Sequence, residues 1–182
     1  EAYSKLRNAI VHSGTNKTIA EPHDDALESI RKIYQMLIKP PSALSLFGKD
    51  VFICNLDDNL YEIAKIMAEK DYTQIPIYEG SKFKGLLTGS TYVKFIASQT
   101  LKDHIDFNKE STVKDILPHT TEQFYRFINA DVDVFTVLDY FLEFTEIKER
   151  LECVIITQNG GCNEKPIGIA TTWDIPLIKK IR

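Results

Sequence analysis

Cysteine, tryptophan and long apolar runs are scarce in this sequence. Its 182 residues include three cysteines, one tryptophan and two methionines. The odd number of cysteines, without metal-type spacing, argues against a disulfide framework and favours a reducing compartment, so we expect a cytoplasmic protein. No apolar run approaches the roughly 18–20 residues of a membrane span, and no signal-peptide pattern occurs, so we expect no membrane partner.

Signatures of catalytic and metal sites are also missing. The sequence has no P-loop, HExxH, GxSxG or paired-cysteine motif. His23, His104 and His119 lie in polar stretches and lack the spacing of metal ligands. We therefore expect no metal and no required cofactor, and the sequence leans against an enzyme.

The composition is that of an ordinary soluble globular protein. Apolar residues make up 43% and charged residues 26%, with a net charge of −4. This charge gives no general attraction to nucleic acid or anionic membrane. Cys54 and Cys153 lie in apolar runs and should be buried, whereas Cys162 lies in a glycine-rich loop and should be exposed.

Residues 1–42 predict a two-helix appendage. Two apolar stripes have helical spacing, and they are Leu6, Ala9 and Ile10, then Ile30, Ile33, Tyr34 and Leu37. We expect a break at 16–22, a second helix starting near the acidic residues after Pro22, and its end at Pro40-Pro41. The sequence opens inside a helix without Met, so we expect a piece of a longer chain.

The rest of the chain predicts one element order twice, in residues 43–100 and in residues 101–182. Each copy reads strand, helix, two strands and helix. In the first copy these are Val51–Cys54, a helix with Leu60, Ile63, Ala64, Ile66 and Met67, the hairpin Gln74–Tyr78 and Phe83–Thr88, and a helix over Thr91–Ala97. In the second they are Phe124–Ile128, a helix with Phe135, Val137, Leu138, Phe141 and Leu142, the strands Leu151–Thr157 and Pro166–Ala170, and a helix from near Trp173. Residues 101–109 read as a polar connector.

A repeated unit of about 60–80 residues indicates a duplicated fold. A single copy cannot cover both faces of its small sheet, so the two copies should pack as a pseudo-twofold pair. The expected fold class is α/β (α+β), with the two helices of residues 1–42 appended.

Two segments carry a family resemblance. They are Tyr72-Thr-Gln-Ile-Pro-Ile-Tyr78 with Gly85-Leu-Leu-Thr88, and Cys153-Val-Ile-Ile156 with Gly168-Ile-Ala-Thr-Thr-Trp-Asp174. Together with the repeat, over about three quarters of the chain, they resemble tandem CBS (cystathionine β-synthase) domains, a Bateman module. The resemblance implies an adenine nucleotide (AMP, ADP or ATP) or related adenosyl compound as a regulatory ligand.

The junction of strand and helix at Thr171 has chemistry suited to such a ligand. A strand that ends in Thr and opens a helix presents backbone N–H groups and a hydroxyl to oxygen atoms. Asp174 could accept hydrogen bonds from both hydroxyls of a ribose. The resemblance assigns ribose binding to Thr171 and Asp174, beside Thr172; an ordinary helix cap is the alternative for Asp174.

The resemblance also implies further contacts. The adenine would pack against Leu44–Lys49 and against Tyr72 and Thr73, although Tyr72 could equally be a core residue. Arg150 is the expected phosphate partner and Lys179 a weaker candidate, with an ordinary solvated charge as the alternative for both.

The first copy departs from the family pattern. Thr91 stands where the second copy has Asp174, three residues after Thr88. A hydroxyl cannot hold both ribose oxygens as a carboxylate does. We expect one strong site per pair, and whether the Thr88 and Thr91 cleft binds anything is left open.

Arg7-Asn-Ala-Ile-Val-His12 resembles the Arg-x4-His signature of HEPN domains, many of which are metal-independent RNases. His12 would act as general acid or base, and Arg7 would steady a phosphate. On one helix the two are separated by about 140°, so a shared site would need a partner chain. Only about two of the family's four or five helices are visible, and residues ahead of Glu1 would have to complete the domain.

Three functions follow from these patterns. The first is a regulatory, ligand-sensing pair that forms a homodimer. The second is a HEPN-type RNase gated by the pair, with RNA as its partner. The third is a ligand-free dimerisation scaffold.

Overall fold

The computed structural model describes residues 2–12, 23–100, 110–120 and 124–181. Contacts divide the chain into two compact units, Glu1–Pro40 and Pro41–Arg182. The expected helix break at 16–22 and the expected connector at 101–109 lie outside the described residues.

The first unit consists of helices α1 (Ala2–His12) and α2 (Asp24–Ile38). Helix α2 starts after His23, and two acidic residues, Asp24 and Asp25, occupy its first turn, where the helix dipole favours negative charge. It ends next to Pro40, as expected from the missing N–H of proline. None of the residues of α2 is buried, and its exposed apolar side chains are Leu27, Ile30, Ile33, Tyr34, Leu37 and Ile38.

The described residues of the second unit form six strands and six α-helices. They are α3 (Ala43–Phe47), β1 (Cys54–Asn55), α4 (Leu60–Lys70), β2 (Gln74–Glu79), β3 (Lys82–Thr88), α5 (Gly89–Thr100), α6 (Val113–Ile116), β4 (Phe124–Ile128), α7 (Val134–Glu146), β5 (Leu151–Ile156), β6 (Gly168–Thr171) and α8 (Ile175–Ile181). Short 3₁₀ turns at Leu117–Thr120 and Thr172–Asp174 follow α6 and β6.

The two copies build sheets of the same topology. Strand β1 is parallel to β2, and β2 is antiparallel to β3; in the same way β4 is parallel to β5, and β5 is antiparallel to β6. The expected repeat, its hairpin and the α+β class are confirmed. The two sheets meet through an apolar cluster whose buried members are Val51, Leu86, Cys153, Ile155 and Ile169.

The first strand is shorter than the sequence predicts. Only Cys54 and Asn55 pair with β2, whereas a strand from Val51 was expected. The preceding chain is held by the second copy instead, because Gly48 pairs with Gly168 and the Lys49 N–H donates to the Ile167 carbonyl at 3.1 Å. This contact positions residues 49–52 beside β6.

The short helix ahead of each copy packs into the core of the other copy. Ala43 and Phe47 of α3 lie in the core of the second copy, with β5, α7 and α8. Val113 and Ile116 of α6 lie in the core of the first copy, with β2, β3 and α4. This reciprocal exchange ties the two halves together through buried apolar surface.

Two glycines allow the exchanged segments to approach the sheets. A Cβ on Gly168 would lie 2.8 Å from the Phe47 carbonyl oxygen, and one on Gly85 would lie 2.6 Å from Thr120 Oγ1. Both distances are below normal contact. The glycines of the two sequence motifs therefore have a packing role at equivalent places in the two sheets.

Helix α7 buries a narrower face than predicted. Val137, Leu138 and Phe141 are buried, but Phe135 is half-buried and Leu142 is 42% exposed. Leu142, one of the residues whose spacing predicted this helix, therefore lies away from its buried face.

The cysteines lie as expected. Cys54 and Cys153 are buried, and Cys162 is exposed. Burial raises the pKa of the Cys54 thiol to about 12 and also raises the pKa of Cys153. Neither buried thiol is a nucleophile near neutral pH.

Candidate functional site

A cleft of about 510 Å³ lies between the two copies, at the carboxyl end of β6. The second copy contributes Ile169, Thr171, Trp173 and Asp174 to its wall. The first copy contributes the segment 71–74 between α4 and β2. Residues 49–52, ahead of β1, complete the lining. The volume is within the range of small-molecule sites.

Asp174 lines this cleft and caps the turn that follows β6. Its Oδ2 accepts hydrogen bonds from the Thr171 N–H at 2.7 Å and from the Thr171 hydroxyl at 3.1 Å. Among the described residues, its Oδ1 accepts no hydrogen bond. One carboxylate oxygen thus holds the turn, and the other has no hydrogen-bond partner among the described residues.

The same capping geometry occurs at a second place, outside this cleft. At the start of α6 the Asp115 Oδ2 accepts from the Thr112 N–H at 2.8 Å and from the Thr112 hydroxyl at 3.1 Å. Asp115 is exposed and lines neither cleft of the pair. Capping therefore accounts for one oxygen of Asp174 but does not account for its position in a cleft.

A second cleft, of about 490 Å³, lies at the equivalent end of β3. Thr88, Gly89 and Ser90 contribute to its wall, with Arg150 and Glu152 from the second copy. The Arg150 Nε lies 3.5 Å from the Glu152 Oε2. Arg150, the predicted phosphate partner, therefore lines the second cleft and not the cleft of Thr171 and Asp174. The reason is that the chain leading into β5 lies beside the Thr88 motif of the first copy.

Thr91 occupies the position that corresponds to Asp174, but it does not line the second cleft. It is 1% exposed, and its hydroxyl donates to the Thr88 carbonyl at 2.6 Å and accepts from the Thr88 N–H at 2.8 Å. The threonine therefore reproduces the cap only. The second cleft lacks an acidic residue at this position.

Tyr72 and Thr73 line both clefts. The Tyr72 ring stacks on Phe52 at 6.1 Å between centroids, and both rings are more than one-third exposed. Thr73 donates a hydrogen bond to Gln74, which is buried at the start of β2. The reading of Tyr72 as a core residue does not fit this exposure.

Other residues named from the sequence lie elsewhere. Of Leu44–Lys49, only Lys49 lines the first cleft, since Phe47 is buried in the core. Thr172 is half-buried and does not line that cleft, and Lys179 is exposed on α8, outside both clefts.

Sequence reasoning missed several residues of the first cleft. Phe52 and Trp173 add two aromatic rings, and Asp50 and Asp71 add two acidic groups. Trp173 stands directly before Asp174 in the repeated motif, so its place at the site was readable from the sequence. Asp71 is the C-cap residue of α4, with a φ of 55°. Its place beside the cleft depends on the tertiary fold and not on the local sequence.

The HEPN-like pair gains no support. Arg7 is exposed and donates to the Asn8 Oδ1 at 2.8 Å, so its polar contact is local. His12 is the last residue of α1. The family match reported below covers residues 45–98 and does not include the first helices.

Two further observations concern metals and membranes. Within residues 2–12, 23–100, 110–120 and 124–181, no three His, Cys, Asp or Glu side chains cluster as metal ligands would. Over the same described ranges, every helix is too short or too polar to span a bilayer.

Comparison with known proteins agrees with the repeat. Residues 45–98 match the family model of the CBS domain, and these residues cover the first copy. No curated protein matches the chain.

Solved structures extend the likeness to both copies. A CBS-domain-containing protein from Agrobacterium tumefaciens is 17% identical, with a TM-score of 0.53 over 75% of this chain and 89% of that one. CBSX2 in complex with AMP is 13% identical, with a TM-score of 0.52 over 76% and 98%. The CBS domain pair of protein MJ0100, in complex with 5′-methylthioadenosine and S-adenosyl-L-methionine, is 17% identical, with a TM-score of 0.51 over 77% and 96%.

At these identities the likeness concerns the fold. The two sheets of equal topology, the family match over the first copy and the structural neighbours agree with one another. Residues 45–98 thus match the CBS domain, and the chain has the fold of a CBS domain pair.

Proposed function

We propose that this chain is a regulatory module that binds an adenine nucleotide or other adenosyl ligand in the cleft of Thr171 and Asp174. The observation that carries the proposal is the position of Asp174. Its Oδ2 holds the turn after β6, its Oδ1 has no hydrogen-bond partner among the described residues, and the residue lines a cleft of about 510 Å³. A carboxylate oxygen in this position can accept a hydrogen bond from a ribose hydroxyl.

The walls of the cleft suit the remainder of such a ligand. The rings of Phe52, Tyr72 and Trp173 offer faces for a purine base. Two structural neighbours were solved with adenosyl compounds, CBSX2 with AMP and the MJ0100 pair with 5′-methylthioadenosine and S-adenosyl-L-methionine. This likeness supports an adenosyl ligand here.

Regulation would follow from the position of the cleft between the copies. A ligand that contacts 49–52, 71–74 and 169–174 bridges the two copies and favours the arrangement in which all three segments are close. The shift between arrangements cannot exceed the difference in affinity of the ligand for them. We also expect a homodimer, as the family resemblance implies, and light scattering of the purified chain tests that expectation.

The test is a thermal-unfolding assay with adenosyl ligands and two matched variants. A ligand at about 100 times its Kd stabilises the folded state by about 2.7 kcal/mol, which is roughly 5–10 °C for a domain of this size. Asp174→Ala should abolish the shift. Asp115→Ala removes the same type of cap outside the clefts and should keep the shift.

Both variants should lose stability without ligand, by about 0.5–2 kcal/mol, because each lacks a helix cap. The proposal fails if no adenosyl compound raises the Tm of the wild type, an outcome that favours the dimerisation scaffold. It also fails if Asp174→Ala responds as fully as Asp115→Ala.

A further inference from the structure

The charges that line the Asp174 cleft are mostly negative. Lys49 is its one basic lining residue, against Asp50, Asp71 and Asp174. These groups give the described lining a formal charge of −2. Phosphate sites in proteins normally have the opposite character, with Arg or Lys in excess.

The excess of negative charge does not depend on Asp50. The Asp50 Oδ1 lies 3.8 Å from the Lys165 Nζ, and both side chains are mostly exposed, so this carboxylate is partly offset and well screened. Without Asp50, the described lining still has two carboxylates, Asp71 and Asp174, against the single positive charge of Lys49.

The backbone N–H group at the start of the turn is already engaged within the chain. The Thr171 N–H, which opens the turn after β6, already donates to the Asp174 Oδ2 at 2.7 Å. Arg150, the predicted phosphate partner, lines the second cleft beside Glu152. A chain of phosphates in the first cleft would therefore meet several carboxylates, with Lys49 as the basic side chain of the described lining.

Aromatic rings are the other main component of this cleft. Phe52 and Tyr72 form a stacked pair with an interplanar angle of 27°, and Trp173 is 76% exposed. Ring faces attract bases and also attract organic cations, because the face of a ring carries partial negative charge. Rings next to carboxylates suit a ligand that is flat, apolar and neutral or positive.

From these observations we infer that the Asp174 cleft selects an adenosyl ligand without phosphate groups, either a neutral thioether or a cationic sulfonium, over AMP, ADP and ATP. This inference rests on the proposed function, since it specifies the ligand of the same cleft. It predicts that affinity falls with each phosphate added to the ligand.

The test is a fluorescence titration of the full chain. Trp173 is the only tryptophan of the sequence and lines this cleft, so its emission reports occupancy there. The probes are 5′-methylthioadenosine, S-adenosylmethionine, AMP, ADP and ATP in magnesium-free buffer. We expect ATP to bind at least about tenfold more weakly than 5′-methylthioadenosine at low salt.

Salt should identify the cause of this preference. The Debye length falls from about 30 Å at 0.01 M to about 3 Å at 1 M ionic strength, so the preference should shrink at high salt if charge produces it. A preference that is insensitive to salt would overturn the electrostatic explanation.

A pair of variants localises the effect. Asp71→Asn removes one cleft charge, and Asn fits the left-handed backbone at this position, where φ is 55°. This variant should reduce the ratio of the Kd for ATP to the Kd for 5′-methylthioadenosine by about two- to fivefold. Asp139→Asn removes an exposed charge on α7, outside both clefts, and should leave the ratio unchanged.

The outcomes separate this inference from the proposed function. If ATP binds as tightly as the phosphate-free ligands at low salt, and Asp174→Ala abolishes its binding, the inference is overturned and the proposed function stands. An Asp71→Asn variant with an unchanged ratio also overturns the inference. If none of the five compounds binds, the proposed function fails and the inference fails with it.

Discussion

Asp174 shows how one side chain can have two roles at different oxygen atoms. Its Oδ2 caps the turn after β6 through Thr171, as the Asp115 Oδ2 caps α6 through Thr112. The sequence alone could not separate a cap from a ligand site, because both patterns place Asp three residues after Thr. The structure distinguishes them by location, since Asp174 lines the first cleft and Asp115 lines neither of the two clefts described above.

The cysteines allow a prediction at the same scale. The thiolate is the reactive form, and burial raises the pKa of Cys54 to about 12 and also that of Cys153, while Cys162 is exposed. An aromatic disulfide reagent at pH 8 should therefore titrate one thiol per folded chain rapidly and all three in urea. Cys162→Ser should remove the rapid phase, and a second rapid thiol in the wild type would contradict the described core.

The strands and helices were easier to predict from the sequence than the elements against which they pack. Local signals specify the hairpin β2–β3 and helix α7. These signals are alternation and turn residues for the hairpin and helical spacing for α7, so both positions could be predicted from the sequence. The shortening of β1 and the exchange of α3 and α6 between copies depend on contacts across the pair. No local pattern in the sequence specifies such contacts.

The exchanged helix α3 gives a prediction at the element scale. In Gly168→Ala the new methyl group would meet the Phe47 carbonyl at 2.8 Å and Ile156 at 3.0 Å. We expect a loss of about 1–3 kcal/mol in the free energy of unfolding, measured by urea denaturation, because backbone at this contact has to move. Gly89→Ala is the matched control, since nothing lies within 4 Å of its Cβ position.

Gly89 is the first residue of α5, where Ala is the better helix former. The control should therefore leave stability unchanged or raise it by up to about 1 kcal/mol. Equal losses in the two variants would contradict the close approach of α3 to β6.

The whole second unit is a pair whose two clefts are unequal. The duplication places a Thr at the end of β3 and at the end of β6, but the third residue that follows is buried Thr91 in one copy and cleft-lining Asp174 in the other. The sequence predicted this asymmetry directly. It placed Arg150 in the wrong cleft, because the side on which a loop faces its partner copy is decided by the packing of the two sheets.

Calorimetric titration of the chain with its tightest adenosyl ligand tests the central claim most directly. The account predicts about one molecule bound per chain, no binding heat for Asp174→Ala, and binding close to that of the wild type for Asp115→Ala. Two equivalent sites per chain, or full binding by Asp174→Ala, would contradict it.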